Sequence, residues 1–196
     1  MLTLAARSAS KIPYSNASAY FYNALSTLKQ KSKAAAAIID FLENKSPTVQ
    51  ISVLVCEVEG AFGPFSMEWA FTGPCIVWTP GKSFTTRGAD ITGYRAATGA
   101  PIISGKKADV VYPSEIVLIH ELGHAKQYIE NPGWFASQGG GGAVVAGSKT
   151  TAEIEADNLR RHEHPVCKDY GLLQRQNYTD FLGFNDVPVP TSGRLY

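Results

Sequence analysis

The stretch Ile119-His120-Glu121-Leu122-Gly123-His124-Ala125 puts two imidazoles four positions apart, with a carboxylate directly after the first. On an α-helix, residues four apart point the same way one turn along, so His120 and His124 bring two ring nitrogens to one zinc ion, each at about 2.0–2.1 Å. Glu121 lies one step round the helix, beside the ion rather than on it. A carboxylate there takes a proton from water without filling a ligand position. The chain holds four histidines, and two of them flanking Glu at this spacing arise by chance in well under about 1% of such chains. The pattern therefore favours zinc over a plain buried helix.

A catalytic zinc ion takes three protein ligands and keeps a fourth position open. The metzincin continuation requires Gly where the chain has Gln127 and His where it has Glu130, so that route fails and Glu130 is left as a spare carboxylate. The other route is a Glu on a later helix. Glu153, followed four residues on by Asp157, supplies it, with Asp157 placed to steady a ligating imidazole. Two readings compete with this one. Thr150-x-x-Glu153 fits a capping box that would occupy Glu153 locally. Glu155 is the alternative ligand; it lies about 200° from Glu153 on a regular helix, so only one of the two faces the ion. Tyr178 and Arg175 are candidates to donate to the developing oxyanion, which makes Glu121 and Tyr178 the expected catalytic pair. His162 and His164 lie two apart, which points their rings away from each other, so with Cys167 they read as a polar helix end.

Outward from this segment, Tyr112-Pro113-Ser114-Glu115 starts a helix and Asn131-Pro132-Gly133 stops it near Glu130. The run Ser137–Gly147 carries four consecutive glycines and predicts a mobile loop over the cleft. A second helix is expected from about Thr150 to His164, closed by Pro165, then a short helical GLLQRQNY segment and an irregular tail. Upstream, apolar positions from Phe21 to Leu42 recur at helical spacing across Ser18–Asn44, and Val49, Ile51, Val53 and Val55 alternate as a strand. The pieces MEWAF, CIVW and PIIS are separated by turn residues, including the Gly, Thr and Ala stretch 88–100, and predict hairpins. CIVW is the expected edge strand for an extended substrate. Together these elements predict an α+β domain over residues 18–196, with residues 1–17 as a flexible leader.

Composition narrows the partners. Eighteen basic against seventeen acidic side chains leave a formal charge of +1, too little to draw nucleic acid or anionic lipid. No apolar run is long enough to predict a membrane span. Three scattered cysteines do not form the framework of a disulfide-stapled module. The first eighteen residues lack an apolar signal core, and their Ser, Ala and Asn content fits a specialised bacterial export leader or a frayed terminus.

On these residues the chain resembles gluzincin metalloproteases, and most of all the bacterial effector and toxin zincins of the NleD type. In those proteins an aromatic-rich strand with Trp-x-Pro precedes a helix of the form V-L-x-H-E-L-x-H-A; here the matching pieces are Val77-Trp78-Thr79-Pro80 and Val117–Ala125. A later Glu-rich helix and an Arg and Tyr segment extend the likeness from Cys75 to Tyr178. The resemblance implies a zincin-like fold, a small antiparallel or mixed sheet packed on the HExxH helix and a second Glu-bearing helix. It also implies one catalytic Zn²⁺, a protein or peptide substrate, and delivery into a target cell by a dedicated secretion system. A rival reading is a non-catalytic binding protein with a structural zinc site, for which His162 or His164 would complete four protein ligands.

Overall fold

The computed structural model describes residues 2–4, 14–44, 51–55, 67–70, 73–138 and 149–186. In chain order, strand β1 (Leu2–Leu4) precedes helices α1 (Tyr14–Lys31) and α2 (Lys33–Asn44). The single helix expected over Ser18–Asn44 is therefore two. The break falls at Ser32, whose hydroxyl accepts from the Ala35 amide at 3.0 Å and donates to Asp169 Oδ2 at 2.6 Å. A serine that bonds the backbone three residues on starts a new helix rather than extending the old one. β1 and the start of α1 both fall within the stretch read as a flexible leader, and residues 5–13 lie outside the described ones.

β2 (Ile51–Val55), β3 (Met67–Ala70) and β4 (Gly73–Trp78) complete the first sheet, in the order β1-β2-β4-β3. β1, β2 and β4 are parallel and β3 is antiparallel at the edge. CIVW lies in β4 between β2 and β3, so it is not the edge strand expected from sequence; the edges are β1 and β3. The second sheet is built on β5 (Lys82–Tyr94), paired with β6 (Pro101–Tyr112) as a long antiparallel hairpin. β5 runs through glycines that read as turn material. Gly88 is needed there because a Cβ would stand 2.6 Å from Leu173 Cβ, so the strand lets a later segment press against its backbone.

Helix α3 (Ser114–Glu130) carries the HExxH residues, and α4 (Pro132–Ser137) follows, with the Asn131 side chain accepting from Trp134 N. The glycine run expected to close over the cleft falls at 139–148, outside the described residues. α5 (Lys149–Asn158) passes into a π-helical turn over Leu159–Glu163 and then α6 (His164–Asp169). Pro165 does not close this helix as expected. The wide turn already replaces the usual backbone bonds, His164 N–H reaching Leu159 O, so the proline sits in the first turn of α6 without breaking the rod.

β7 (Gln174–Arg175) and β8 (Phe181–Asp186) pair end to end with the same side of β5, where sequence predicted a helix and an irregular tail. The core joins Phe21, Leu28, Ile39 and Leu42 of the first two helices to Val53, Ile76 and Trp78 of the sheet and Ile116, Leu118 and Ile119 of α3. Trp78 also donates from Nε1 to the Ser114 carbonyl at 2.9 Å, which ties the end of β4 to the first turn of α3. The result is an α+β fold with α3 as its buried axis.

Candidate metal centre

From Ile116 to Ala125 every residue of α3 is buried, so its polar side chains are largely shielded from solvent. His120 Nε2 and His124 Nε2 stand 3.1 Å apart. Glu155 of α5 presents Oε2 3.3 Å from the first and Oε1 3.3 Å from the second. Among the described residues these three form the group of His, Cys, Asp and Glu donors able to hold a metal ion, their ligand atoms within 4.8 Å of one another. Glu155 Oε2 is buried without a hydrogen-bond partner. A buried carboxylate oxygen left open beside two imidazole nitrogens is what a cation would satisfy. Burial raises the Glu155 carboxyl, but the His124 and His120 imidazoles outweigh it and hold the group well below the ordinary carboxylate range.

The carboxylate that the structure brings to the two imidazoles is thus Glu155, the alternative offered by the sequence, and not Glu153 as expected. Ile154 and Asn158 set the inward face of α5; Glu153 is exposed and lines a separate cavity of about 480 Å³ with Trp134, Arg160 and Arg161. The side chain of Thr150, the other half of the expected capping box, lies outside the described residues. Glu130 is on the surface with Lys126 and Arg161. Asp157 does not touch an imidazole. Its Oδ2 accepts from Gln127 Nε2 at 2.8 Å, and Gln127 Oε1 lies 2.9 Å from His124 Nδ1, so its contact with the site passes through Gln127.

The direct carboxylate partner is Glu163, which sequence reading missed. Its Oε2 lies 2.8 Å from His120 Nδ1, and Arg175 donates to it from Nε at 2.8 Å and from Nη2 at 2.6 Å. On a regular helix Glu163 would be about 80° round from Glu155; the extra residue of the π turn reduces this to about 20°, so both carboxylates face His120. Close approach of the two helices needs Gly123, because a Cβ there would stand 2.1 Å from Asn158 Oδ1 and 2.9 Å from His162 Cβ. Asn158 Nδ2 in turn donates to the His120 carbonyl at 2.9 Å.

Burial pushes Glu163 up, but Arg175 and His120 bring it down to about 2. Since this lies below the ordinary 4.5, the stabilisation is complete above pH 4.5 and is lost as pH falls through 2. Arg175, named from sequence as an oxyanion donor, is itself buried and committed to Glu163. Arg175→Met is expected to destabilise the protein at pH 7 by about 3 kcal/mol, because Glu163 is left buried with its main partner gone. The difference from wild type narrows at pH 4, where the stranded carboxyl takes up a proton. Urea unfolding at both pH values measures it, and equal losses at the two would contradict this account.

Tyr178 sits at the mouth of the site, 51% exposed, its ring stacked on His120 at 6.2 Å between centroids and with the Arg175 guanidinium 5.3 Å from its ring centre. Partial burial and the Glu155 and Glu121 carboxylates push its phenol up to about 12, so it keeps its proton across neutral pH. Glu121 is buried at 2% exposure. Desolvation pushes it up to about 8 although His124 pulls the other way. His162 and His164 are buried and pushed by desolvation down to about 4, which keeps both neutral; neither joins the three donors. His164 Nδ1 is instead hydrogen-bonded to the Tyr94 hydroxyl.

Beside His120 opens an apolar cavity of about 400 Å³, walled by Phe84, Val117, Phe181 and Phe184. The register shift between β5 and β8 at Thr85/Thr86 leaves Leu182 without a partner, and Phe181 and Phe184 meet with ring centroids 4.7 Å apart. Compared with protein-family models, curated proteins and solved structures, the chain finds no match.

Proposed function

We propose that the protein is a zinc-dependent endopeptidase of zincin-like architecture, with His120, His124 and Glu155 as ligands. The observation that carries this reading is the spacing of the three donors. Corners of a tetrahedron whose centre is 2.0–2.1 Å from each lie about 3.3 Å apart; the two Nε2 atoms lie 3.1 Å apart, and the Glu155 carboxylate spans them with Oε2 3.3 Å from His120 and Oε1 3.3 Å from His124. Three protein donors leave one corner for water and substrate, the arrangement of a catalytic rather than a structural site.

Bound zinc would supply Lewis acidity, polarising a peptide carbonyl and acidifying water at the open corner. Glu121, next to His120 on the same helix, would take the water proton as a carboxylate, the ionised form that the positive charge of a bound cation would favour against the burial that raises it to about 8, and would pass that proton to the leaving amine. Tyr178 donates its hydroxyl hydrogen to the oxyanion, since its phenol stays protonated at neutral pH. Glu163 and Arg175 hold the His120 ring. The apolar cavity admits one bulky apolar side chain of the substrate, with the scissile bond carried past Tyr178. The substrate is a protein or peptide. Among the described residues, no helix is long and apolar enough to cross a membrane. The likeness to NleD-type zincins extends the proposal to an effector or toxin exported into a target cell.

The test is mass-spectrometric mapping of new protein N-termini in a cell lysate treated with zinc-loaded wild type, chelator-stripped wild type or His120→Ala. The expected result is a set of cuts, each near a bulky apolar side chain, produced only by the loaded wild type. Identical termini in all three samples would end the endopeptidase reading.

A further inference from the structure

We infer that Gln127 is a positioning residue that fixes the His124 ring with its Nε2 lone pair turned toward the other two donors. The inference rests on the metal-centre reading above. Gln127 is buried, one turn beyond His124 on α3, and the sequence gives it no role beyond departing from the metzincin pattern. Its amide spans two helices. Nε2 lies 3.1 Å from the Ile154 carbonyl and 2.8 Å from Asp157 Oδ2, and Oε1 lies 2.9 Å from His124 Nδ1.

The proton positions follow from what each atom can do. The Ile154 carbonyl and the Asp157 carboxylate only accept, so the amide nitrogen must face them. The amide oxygen then faces His124, and because it too only accepts, His124 Nδ1 must donate. A neutral imidazole carries one ring proton, so Nε2 is left bare beside His120 Nε2 and Glu155 Oε1. Ile154 and Asp157 also flank Glu155 in the chain, which means that one amide sets the His124 ring and clamps the segment bearing the third donor. Asp157 is held in turn by Arg160 Nη2 at 3.1 Å and Arg161 Nη1 at 3.3 Å.

Two measurements on the full chain test this. In metal-free protein labelled with ¹⁵N in its imidazoles, wild-type His124 is expected as the Nδ1–H tautomer, and Gln127→Met as a mixture or the Nε2–H form. In competition with a chromophoric chelator, Gln127→Met is expected to bind Zn²⁺ roughly 10- to 100-fold more weakly. Gln127→Glu sets a carboxylate against Asp157 and is expected to weaken zinc similarly. Adding Asp157→Asn, whose amide can donate to the new carboxylate, should recover most of the loss. A purely packing role predicts no such recovery.

A Gln127→Met protein with the wild-type tautomer, or with zinc affinity within twofold of wild type, would overturn the inference. If that variant does not fold, the paired Gln127→Glu and Asp157→Asn exchange decides, and absence of recovery overturns it. Failure of wild type to bind zinc would strike the metal-centre reading, while the tautomer still reports on Gln127.

Discussion

Glu155→Ala is expected to lose zinc by more than about 100-fold in affinity, beyond what removing a group behind a ligand costs, while Glu153→Ala keeps it. The two carboxylates are two residues apart on one helix, and their surroundings are opposite. Glu155 stands 3.3 Å from both imidazole Nε2 atoms with one oxygen otherwise unpartnered, whereas Glu153 is exposed. Removing Glu155 leaves two nitrogen donors and a gap on the third side. Elemental analysis after gel filtration should return about one zinc per chain for wild type and Glu153→Ala and almost none for Glu155→Ala. The reverse pattern would mean that α5 is rotated by half a turn from the arrangement described.

Glu121→Gln is expected to separate binding from chemistry. The amide nearly matches the carboxylate in shape and touches none of the three donors, so zinc content should stay at about one per chain. Proteolysis should fall by about 10²–10⁴-fold, the usual contribution of a positioned general base. An amide cannot take up the proton that the buried carboxylate takes. Retained peptidase activity in purified Glu121→Gln would remove Glu121 from its proposed role, and loss of the metal would make it a structural support of the site instead.

The parts of the site legible in the sequence were those set by spacing within one helix. His120 and His124 share a face at any rotation of α3, and Tyr112-Pro113-Ser114-Glu115 and Asn131-Pro132 bound that helix by their own backbone restrictions. Glu155 was harder, because its choice over Glu153 depends on the rotation of a helix that follows a glycine-rich segment with no periodic signal. Only the burial of Ile154 and Asn158 fixes that rotation. Glu163 was hidden for another reason: a regular helical wheel turns it away from His120, and nothing local in Leu159-Arg160-Arg161-His162-Glu163 announces a wider turn. The glycines of β5 misled in the same way, since Gly88 serves contact with Leu173, a neighbour 85 positions away.

The π turn sets a condition on how this chain can change. It absorbs one surplus residue, and that widening keeps the two halves of the rod in angular agreement. Drawing the same residues into a regular α-helix would complete the ladder of backbone bonds, but would swing everything beyond the turn by about 100°. Glu163 would then leave His120, and Pro165 would meet an ordinary helical carbonyl. Local regularity of these residues and the arrangement around His120 are therefore opposed at this point: losing one residue from the turn leaves seven steps of about 100° between the two carboxylates and keeps them on one side, whereas an added residue should be tolerated far less well than substitutions on the exposed faces of Arg160 and Arg161.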